Sequence, residues 1–286
     1  MYYPGAVDPP PALLSGELKT LSISQMNFFE RVVFLLKTFG KSYLSGAGYT
    51  FLIALVGTFF GLVIGFIIGI IQTIPVKKTD PLIKRIIMKI VNFILLAYVE
   101  VFRGTPMLVQ AMFIYYGFST LFNINLDYMF AAFFIVSINT GAYMAETVRG
   151  GILSIDEGQT EGAQSIGMTH FQTMVHVILP QALRNIMPQI GNNLIINIKD
   201  TCVLFAIGVT ELFSRAKSVA GAYYTYFEAF TIVLIVYFIM TFICSRVLRL
   251  IESKMDGPES YDLATTDTLA YTSGMANYPF KNRRLK

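Results

Sequence analysis

The sequence predicts an all-α integral membrane protein with about five transmembrane helices. Hydrophobic residues make up 54% of the 286 residues and charged residues only 14%, whereas soluble domains carry roughly 25% charged residues. The mean hydropathy is +0.58, and several uncharged stretches reach the roughly 20 residues that a helix needs to cross a bilayer. The net charge of +4 is small and scattered, which disfavours a nucleic-acid partner.

The N-terminal region, residues 1–41, is predicted to be an extension that contains an interfacial amphipathic helix. Apolar residues between Phe28 and Phe39 recur at helical spacing, and Glu30, Arg31 and Lys37 lie on the other side of that helix. The first residues lack a basic segment followed by an apolar core, so we expect no cleaved signal peptide.

The transmembrane domain is predicted over residues 42–251. Its helices are expected at about 44–74, 88–121, 126–148, 186–209 and 226–246. In the first helix Gly57, Gly61, Gly65 and Gly69 share one face, which another helix can approach closely. We favour packing against the chain's own helices over a dimer interface. The second helix is expected to break near Pro106, because proline lacks an N–H group and disfavours helix at the preceding residue.

The distribution of Lys and Arg predicts the orientation in the membrane. These residues concentrate in segments 77–89, 149–184 and 246–286, and fewer lie in the remaining connections. Positively charged loops stay on the cytoplasmic side. We therefore predict an external N-terminus and a cytoplasmic C-terminus, with a polar cytoplasmic tail over residues 252–286.

The polar segment 150–180 lies between the third and fourth predicted spans and has the pattern of an ordered helical corner. Thr160 can cap a first short helix, and Gly167 suits the left-handed position that ends it. Thr169 and Gln172 have capping-box spacing for a second helix. Such order is typical of a docking site for another protein rather than of a simple connector.

This segment resembles the EAA loop of the permease subunits of binding-protein-dependent ABC importers, whose pattern is E-A-A-x3-G-x9-I-x-L-P. Glu161, Ala163, Gly167 and Pro180 match the pattern, with Gly162 in place of an alanine and valine in place of the isoleucine at position 177. Further runs are similar to the polar amino acid branch of that family. They are residues 98–106, 141–146, 149–152, 158–159 and 199–201, and the resemblance covers about residues 43–251.

The resemblance implies a type I ABC importer permease fold with five transmembrane helices and a cytoplasmic coupling helix. It implies alternating-access import of amino acids, polar or charged ones, across a bacterial plasma membrane. The implied partners are ABC ATPase subunits, a second permease subunit that is identical or homologous, and an external amino acid binding protein. ATP and Mg²⁺ would be held by the ATPase, and this chain would bind no cofactor. The residues implied in ATPase coupling are Glu161, Gly162, Ala163, Gly167 and Pro180.

Ionisable residues within the predicted spans are the other candidate functional residues. Glu100 with Arg103, and Glu146 with Arg149, have the spacing of structural ion pairs within one helix. Lys199 and Asp200 are adjacent, hence about 100° apart around the helix axis, and cannot pair in that way. We assign Glu146, Asp200 and Lys199 as candidate substrate-pathway residues, with helix packing as the alternative role.

The composition is also compatible with two other classes of membrane protein, an ion-coupled transporter and a membrane enzyme. An ion-coupled secondary transporter fits the composition, although the ordered cytoplasmic corner argues against it. A membrane enzyme would need a nucleophile or a metal cluster, and two His and two Cys without suitable spacing do not provide one. We therefore predict no catalytic and no metal-binding residue. Neither the transported amino acid nor the identity of the second permease follows from the sequence.

Overall fold

The structure, a computed structural model, describes residues 26–255 as helices joined by short connections, without a strand in that range. A π-helical segment, Met174–Ile178, precedes α7, and a 3₁₀ segment, Thr201–Ile207, follows it. The all-α class is confirmed. The helices are α1 (Phe28–Thr73), α2 (Leu82–Gly104), α3 (Met107–Phe122), α4 (Tyr128–Leu153), α5 (Glu157–Ser165), α6 (His170–Thr173), α7 (Leu179–Asp200), α8 (Leu212–Tyr223) and α9 (Tyr226–Met255).

Four helical stretches between residues 26 and 255 are long and apolar enough, by length and composition, to cross a bilayer. They are Phe28–Thr73, Tyr128–Leu153, His170–Ile207 and Tyr226–Lys254. Where the sequence predicts one interrupted helix over 88–121, the structure has two helices, α2 and α3. The interruption lies at Thr105 and Pro106, whose backbones are extended. The shorter α3 is apolar over its 16 residues.

The start of the bundle differs from the sequence prediction. Instead of an interfacial helix before residue 41 and a separate span, α1 is one continuous helix of 46 residues. The apolar face of its first turns is covered by protein, since Leu35 and Phe39 are buried in a cluster with residues of α8 and α9. Arg31 also pairs with Glu228 of α9 at 3.0 Å. Helical periodicity predicts an apolar face but not what covers it. Residues 1–25 and the tail 256–286 lie outside the described residues.

The centre of the bundle is a close contact between α1 and α4. The glycines spaced by four on α1 lie directly against α4, and a Cβ atom added to any of them would come within 2.7 Å of an α4 side chain. The predicted packing against the chain's own helices is therefore confirmed. The facing pairs are Gly57 with Val136, Gly61 with Thr140, Gly65 with Met144 and Gly69 with Val148.

A buried polar network joins α7 to this pair of helices. The Asn197 amide nitrogen donates hydrogen bonds to the hydroxyls of Thr58 at 2.8 Å and Thr140 at 2.9 Å. All three side chains are buried. Polar side chains inside a membrane bundle find partners on neighbouring helices, because lipid offers none. The network thus sets the relative positions of α1, α4 and α7.

Candidate functional site

The helical corner between α4 and α7 is built by local capping interactions. The Asp156 carboxylate accepts a hydrogen bond from the Gly158 amide at 2.8 Å and caps α5. The prediction that Thr160 caps this helix is therefore wrong, and Thr160 lies within α5. The turn that follows α4 places Asp156, and not Thr160, at the start of the helix. Asp156 also suits the positive end of the helix dipole better than a hydroxyl does.

The end of α5 has the predicted conformation. Gly167 has φ +86°, which is the left-handed region. The Gly167 amide donates to the Gln164 carbonyl at 3.0 Å, and the Met168 amide donates to the Ala163 carbonyl at 3.2 Å. This pair of bonds is the Schellman motif, which favours glycine because a Cβ atom is strained there.

The second half of the corner also begins as predicted but extends further. Thr169 and Gln172 form a capping box at the start of α6. After α6 the helical run continues without a break through the π-helical segment into α7, so that Pro180 lies within a continuous run. The wide turn accommodates Pro180, which has no N–H for the helical ladder.

The corner presents an open surface. Glu161, Gly162, Gly167 and Pro180 are exposed, and a Cβ atom added to Gly162 would meet no atom within 4 Å. Ala163 is buried. A hydrogen bond of 3.3 Å from the Gln181 amide nitrogen to the Gln159 side-chain oxygen joins α5 to α7. The corner is thus attached to the bundle while its outer face is accessible to another protein.

A polar cavity of about 330 Å³ lies between α1, α2 and α4. The α2 residues that line it recur at helical spacing and so share one face of that helix. Leu96 and Val99 contribute apolar surface. The polar lining residues are Gln72 of α1, Asn92, Glu100 and Arg103 of α2, and Glu146 and Arg149 of α4.

The ion pairing in this cavity differs from the sequence prediction. Arg103 pairs with Glu146 across the two helices, rather than with Glu100 in its own helix. The Arg103 guanidinium also lies over the Tyr143 ring, 5.7 Å from its centroid. Within the described chain, Glu100 and Arg149 have no ion-pair partner inside 4.0 Å. The cavity therefore holds one carboxylate and one guanidinium that form no ion pair inside 4.0 Å within the described chain.

Residues 82–257 match the family described as the inner membrane component of binding-protein-dependent transport systems. The chain belongs to this family. It is accordingly a multi-pass membrane protein and a transport subunit, which the sequence resemblance predicted. Relatives that align with about three quarters of this chain are named as transport permeases. The glutamine transport system permease protein of Escherichia coli strain K12 is 37% identical over 213 residues, covering 74% of this chain and 92% of that protein.

Other comparisons agree in sequence and in fold. The arginine transport system permease protein of Bacillus subtilis strain 168 is 32% identical, covering 74% of this chain and 91% of that protein. A crystal structure of an amino acid ABC transporter with histidines has a TM-score of 0.68 at 32% identity, covering 80% of this permease and 99% of that chain. The methionine ABC transporter MetNI, in an inward-facing form, has a TM-score of 0.59 at 21% identity, covering 74% and 95%. The predicted type I importer permease fold is confirmed.

The three predicted pathway residues are not brought together in this permease. Glu146 lines the cavity, whereas Lys199 and Asp200 are exposed at the end of α7 and do not line it. Lys199 and Asp200 are adjacent and therefore point to different sides of α7. Which of these sides meets a cavity depends on the helices that pack against α7. Among residues 26–255 no group of His, Cys, Asp and Glu is arranged to hold a metal ion.

Sequence reasoning missed two polar lining residues, Gln72 and Asn92. Each stands in a mainly apolar stretch, and Asn92 shares the helical spacing of the charged α2 residues, a signal that could have found it. The Asn92 side-chain oxygen is buried and no described residue donates a hydrogen bond to it.

A third residue that was missed is Glu211, which is completely buried in the connection before α8. Its carboxylate accepts hydrogen bonds from the Ser214 amide at 2.7 Å, the Phe213 amide at 2.8 Å and the Tyr237 hydroxyl at 3.1 Å. Burial raises the pKa of Glu211 to about 7, although these hydrogen bonds act in the opposite direction. The carboxylate caps α8 and joins it to α9.

Proposed function

We propose that this permease moves polar or charged amino acids into the cytoplasm as the membrane-spanning subunit of an ATP-driven ABC importer. The observation that carries the proposal is the cavity with one unpaired carboxylate, Glu100, and one unpaired guanidinium, Arg149. A free amino acid carries an ammonium and a carboxylate group. The family membership and the named glutamine and arginine permeases among its relatives support the same substrate class.

The cavity chemistry suits a zwitterion. Glu100 would accept hydrogen bonds from the α-ammonium group, and Arg149 would donate to the α-carboxylate in the paired geometry that guanidinium groups favour. Gln72 and Asn92 add neutral polar groups to the lining. The volume of about 330 Å³ lies at the small end of the range of ligand sites. We infer that the ion pair of Arg103 and Glu146 forms one wall of the substrate pathway.

The coupling mechanism that we propose uses the corner. ATP would close a dimer of partner ATPase subunits, which hold ATP and Mg²⁺, and Glu161, Gly162, Ala163, Gly167 and Pro180 would form the surface against that partner. Movement of α5 would pass to α4 through their short connection and to α7 through the bond between Gln159 and Gln181. This bundle and that of the second permease subunit would then move against each other as rigid bodies. The pathway between them would alternate between outward-open and inward-open arrangements.

The proposed assembly follows from the same reasoning. Two permease subunits, identical or homologous, would share one pathway in a bacterial plasma membrane, and an external binding protein would deliver the amino acid. The N-terminus would be external and the C-terminus cytoplasmic, as the positions of Lys and Arg favour. Lys199 and Asp200, exposed in the single chain, would contact the pathway only in that assembly.

The test is transport by proteoliposomes that contain the permease, its ATPase and its binding protein. We expect uptake of L-glutamine or L-arginine only when ATP is present on the side of the membrane where the ATPase is bound. Glu100→Gln and Arg149→Met should each weaken uptake roughly tenfold or more, because each removes a charge-assisted hydrogen bond worth about 1.5–3 kcal/mol. Arg249→Met, on the exposed end of α9, is the matched control. Uptake driven by an ion gradient without ATP would contradict the proposal.

A further inference from the structure

The interruption between α2 and α3 leaves backbone carbonyls without helical donors. Thr105 and Pro106 are extended, with ψ of 146° and 136°. Because Pro106 has no N–H group, the carbonyl of Phe102 loses its partner in the helical ladder. An unsatisfied carbonyl is costly inside an apolar bundle. The groups that replace the missing donors therefore determine how α2 ends.

Gln110 of α3 supplies these donors. Its amide nitrogen lies 2.9 Å from the Phe102 carbonyl and 2.8 Å from the Thr105 carbonyl. The side chain is 7% exposed, although α3 is otherwise a largely exposed apolar helix in the single chain. A buried glutamine that reaches back across the break fixes the angle between α2 and α3.

Asn139 of α4 contacts the same two groups, the Gln110 side chain and the Phe102 carbonyl. Its amide nitrogen donates to the Gln110 side-chain oxygen at 2.8 Å and lies 3.4 Å from the Phe102 carbonyl. Asn139 is 8% exposed. The two amides therefore form a continuous link, the amide clamp, from α4 through Gln110 to the end of α2.

The amide clamp is adjacent to the charged wall of the cavity. Phe102, whose carbonyl it holds, precedes Arg103, and Arg103 pairs with Glu146. Asn139 and Glu146 are seven residues apart on α4, so they lie on the same side of that helix about two turns apart. Helix α4 thus contacts the end of α2 twice, once at the backbone and once at a charged side chain.

We propose that Gln110 and Asn139 are positioning residues for the amino acid pathway. By holding the interruption of α2 against α4, they keep Arg103 paired with Glu146 at the wall of the cavity. Neither amide lines the cavity itself, so they act through the charged residues and not on the substrate. The proposal rests on the proposed function, which assigns the cavity to amino acids.

The first test compares substrate affinity with turnover in the complete permease and ATPase complex. Gln110→Met and Asn139→Ala remove the clamp, and Ser137→Ala is the matched control. Ser137 is also buried on α4, but its hydroxyl bonds only to the Phe133 carbonyl of the same helix. The probes are radiolabelled L-glutamine and L-arginine, in equilibrium binding, together with the ATPase rate at saturating amino acid.

We expect each clamp variant to weaken binding on the order of tenfold, the effect of losing about one charge-assisted hydrogen bond, while the saturated ATPase rate changes less than twofold. The control should match the wild type in both measurements. Unchanged binding in a correctly assembled clamp variant would overturn the proposal. Loss of assembly in both clamp variants would also overturn it, because it would show a purely structural role.

The second test asks whether the clamp acts through Arg103. In the Arg103→Met background, Gln110→Met should weaken binding no further, since the side chain that it positions is gone. Additive effects would overturn the proposal. If Glu100→Gln, Arg149→Met and Arg103→Met all leave binding unchanged, the proposed substrate cavity fails and the inference fails with it. If only the clamp variants leave binding unchanged, the inference alone fails.

Discussion

At the residue scale, Glu211 is an unusual group because a carboxylate is rarely buried without a cation. Four donors replace water around it, namely the amides of Phe213 and Ser214 and the hydroxyls of Thr50 and Tyr237. These donors come from α1, from the start of α8 and from α9. Burial nevertheless dominates and raises the pKa to about 7. The stability of this end of the bundle should therefore depend on pH.

The sign of this dependence follows from linkage. The folded state binds the Glu211 proton more tightly than the unfolded state, whose glutamate has a pKa near its ordinary value of 4.5. Glu211 therefore contributes stability that is fully present below pH 4.5 and is lost as pH rises through about 7. We expect the free energy of unfolding to fall across this range by on the order of 3 kcal/mol.

Thermal unfolding of the purified permease in detergent, measured between pH 5 and 8, checks this expectation. Glu211→Gln keeps the shape and an acceptor oxygen, so the variant should lose most of the decline in melting temperature. Glu252→Gln, near the end of α9, controls for the loss of a carboxylate elsewhere. A decline that is equally steep in Glu211→Gln and in the wild type would contradict the assignment.

At the element scale, the contact between α1 and α4 depends on the absence of side chains. Glycine is a poor helix former, and the four of the seven α1 glycines that face α4 are tolerated because they allow the backbones to approach closely. Asn197 of α7 donates hydrogen bonds to Thr58 of α1 and Thr140 of α4 and so joins α7 to this pair. Close backbone packing and one polar link thus join three helices, in addition to the apolar side chains that pack between them.

Gly65→Ala should separate α1 from α4. The added Cβ atom would lie 2.3 Å from the Met144 Cβ and 2.8 Å from the Ala145 backbone nitrogen, so a helix must shift. We expect a loss of roughly 1–3 kcal/mol of stability, as is typical of overpacking. The measurement is the melting temperature of the purified permease in detergent.

Gly48→Ala is the control for that substitution. Gly48 lies in the same helix, and a Cβ atom there would meet no atom within 4 Å. Because alanine favours helix more than glycine does, this variant should be as stable as the wild type or slightly more so. Equal melting temperatures for Gly65→Ala and Gly48→Ala would show that the close contact is not needed.

At the scale of the whole molecule, helix α4 connects the corner to the cavity. Helix α4 carries Glu146 and Arg149 in its last turns and ends at Leu153, three residues before the Asp156 cap of α5. A displacement of α5 therefore acts directly on the helix that lines the cavity. This arrangement supports the proposed transmission from the ATPase to the amino acid pathway.

Gly167→Trp should abolish ATP-driven uptake while leaving membrane insertion intact. The residue is exposed and has a left-handed backbone, so tryptophan both strains the turn and blocks the docking face. Uptake into proteoliposomes and the amount of permease in the membrane are measured together. Gly48→Ala, in open space on α1 and away from the corner, should retain uptake. Normal uptake by Gly167→Trp would exclude the corner as the coupling site.

Purification of a tagged permease from its native membrane in mild detergent should recover an ABC ATPase. The open face of the corner and the family membership support this expectation. Mass spectrometry of the purified material identifies the partners and distinguishes an identical second permease from a homologous one. Recovery of the permease alone, active on an ion gradient after reconstitution, would favour a secondary transporter instead.

The sequence by itself determined the features that depend on neighbours along the chain. Hydropathy predicted an all-α membrane protein, Pro106 predicted the interruption before α3, and the glycine spacing predicted the packing face of α1. Gly167 adopts the expected left-handed turn. Each of these is decided by covalent geometry, helix periodicity or the cost of placing polar groups in lipid.

Only the tertiary structure decided which residues meet across helices. Arg103 pairs with Glu146 rather than with Glu100, Lys199 and Asp200 lie away from the cavity, and the first turns of α1 continue into the bundle. Helices that are apolar on all sides carry little information about their rotation or their neighbours. Such pairings depend on how several helices pack together, and that packing is a property of the folded bundle and not of any one segment.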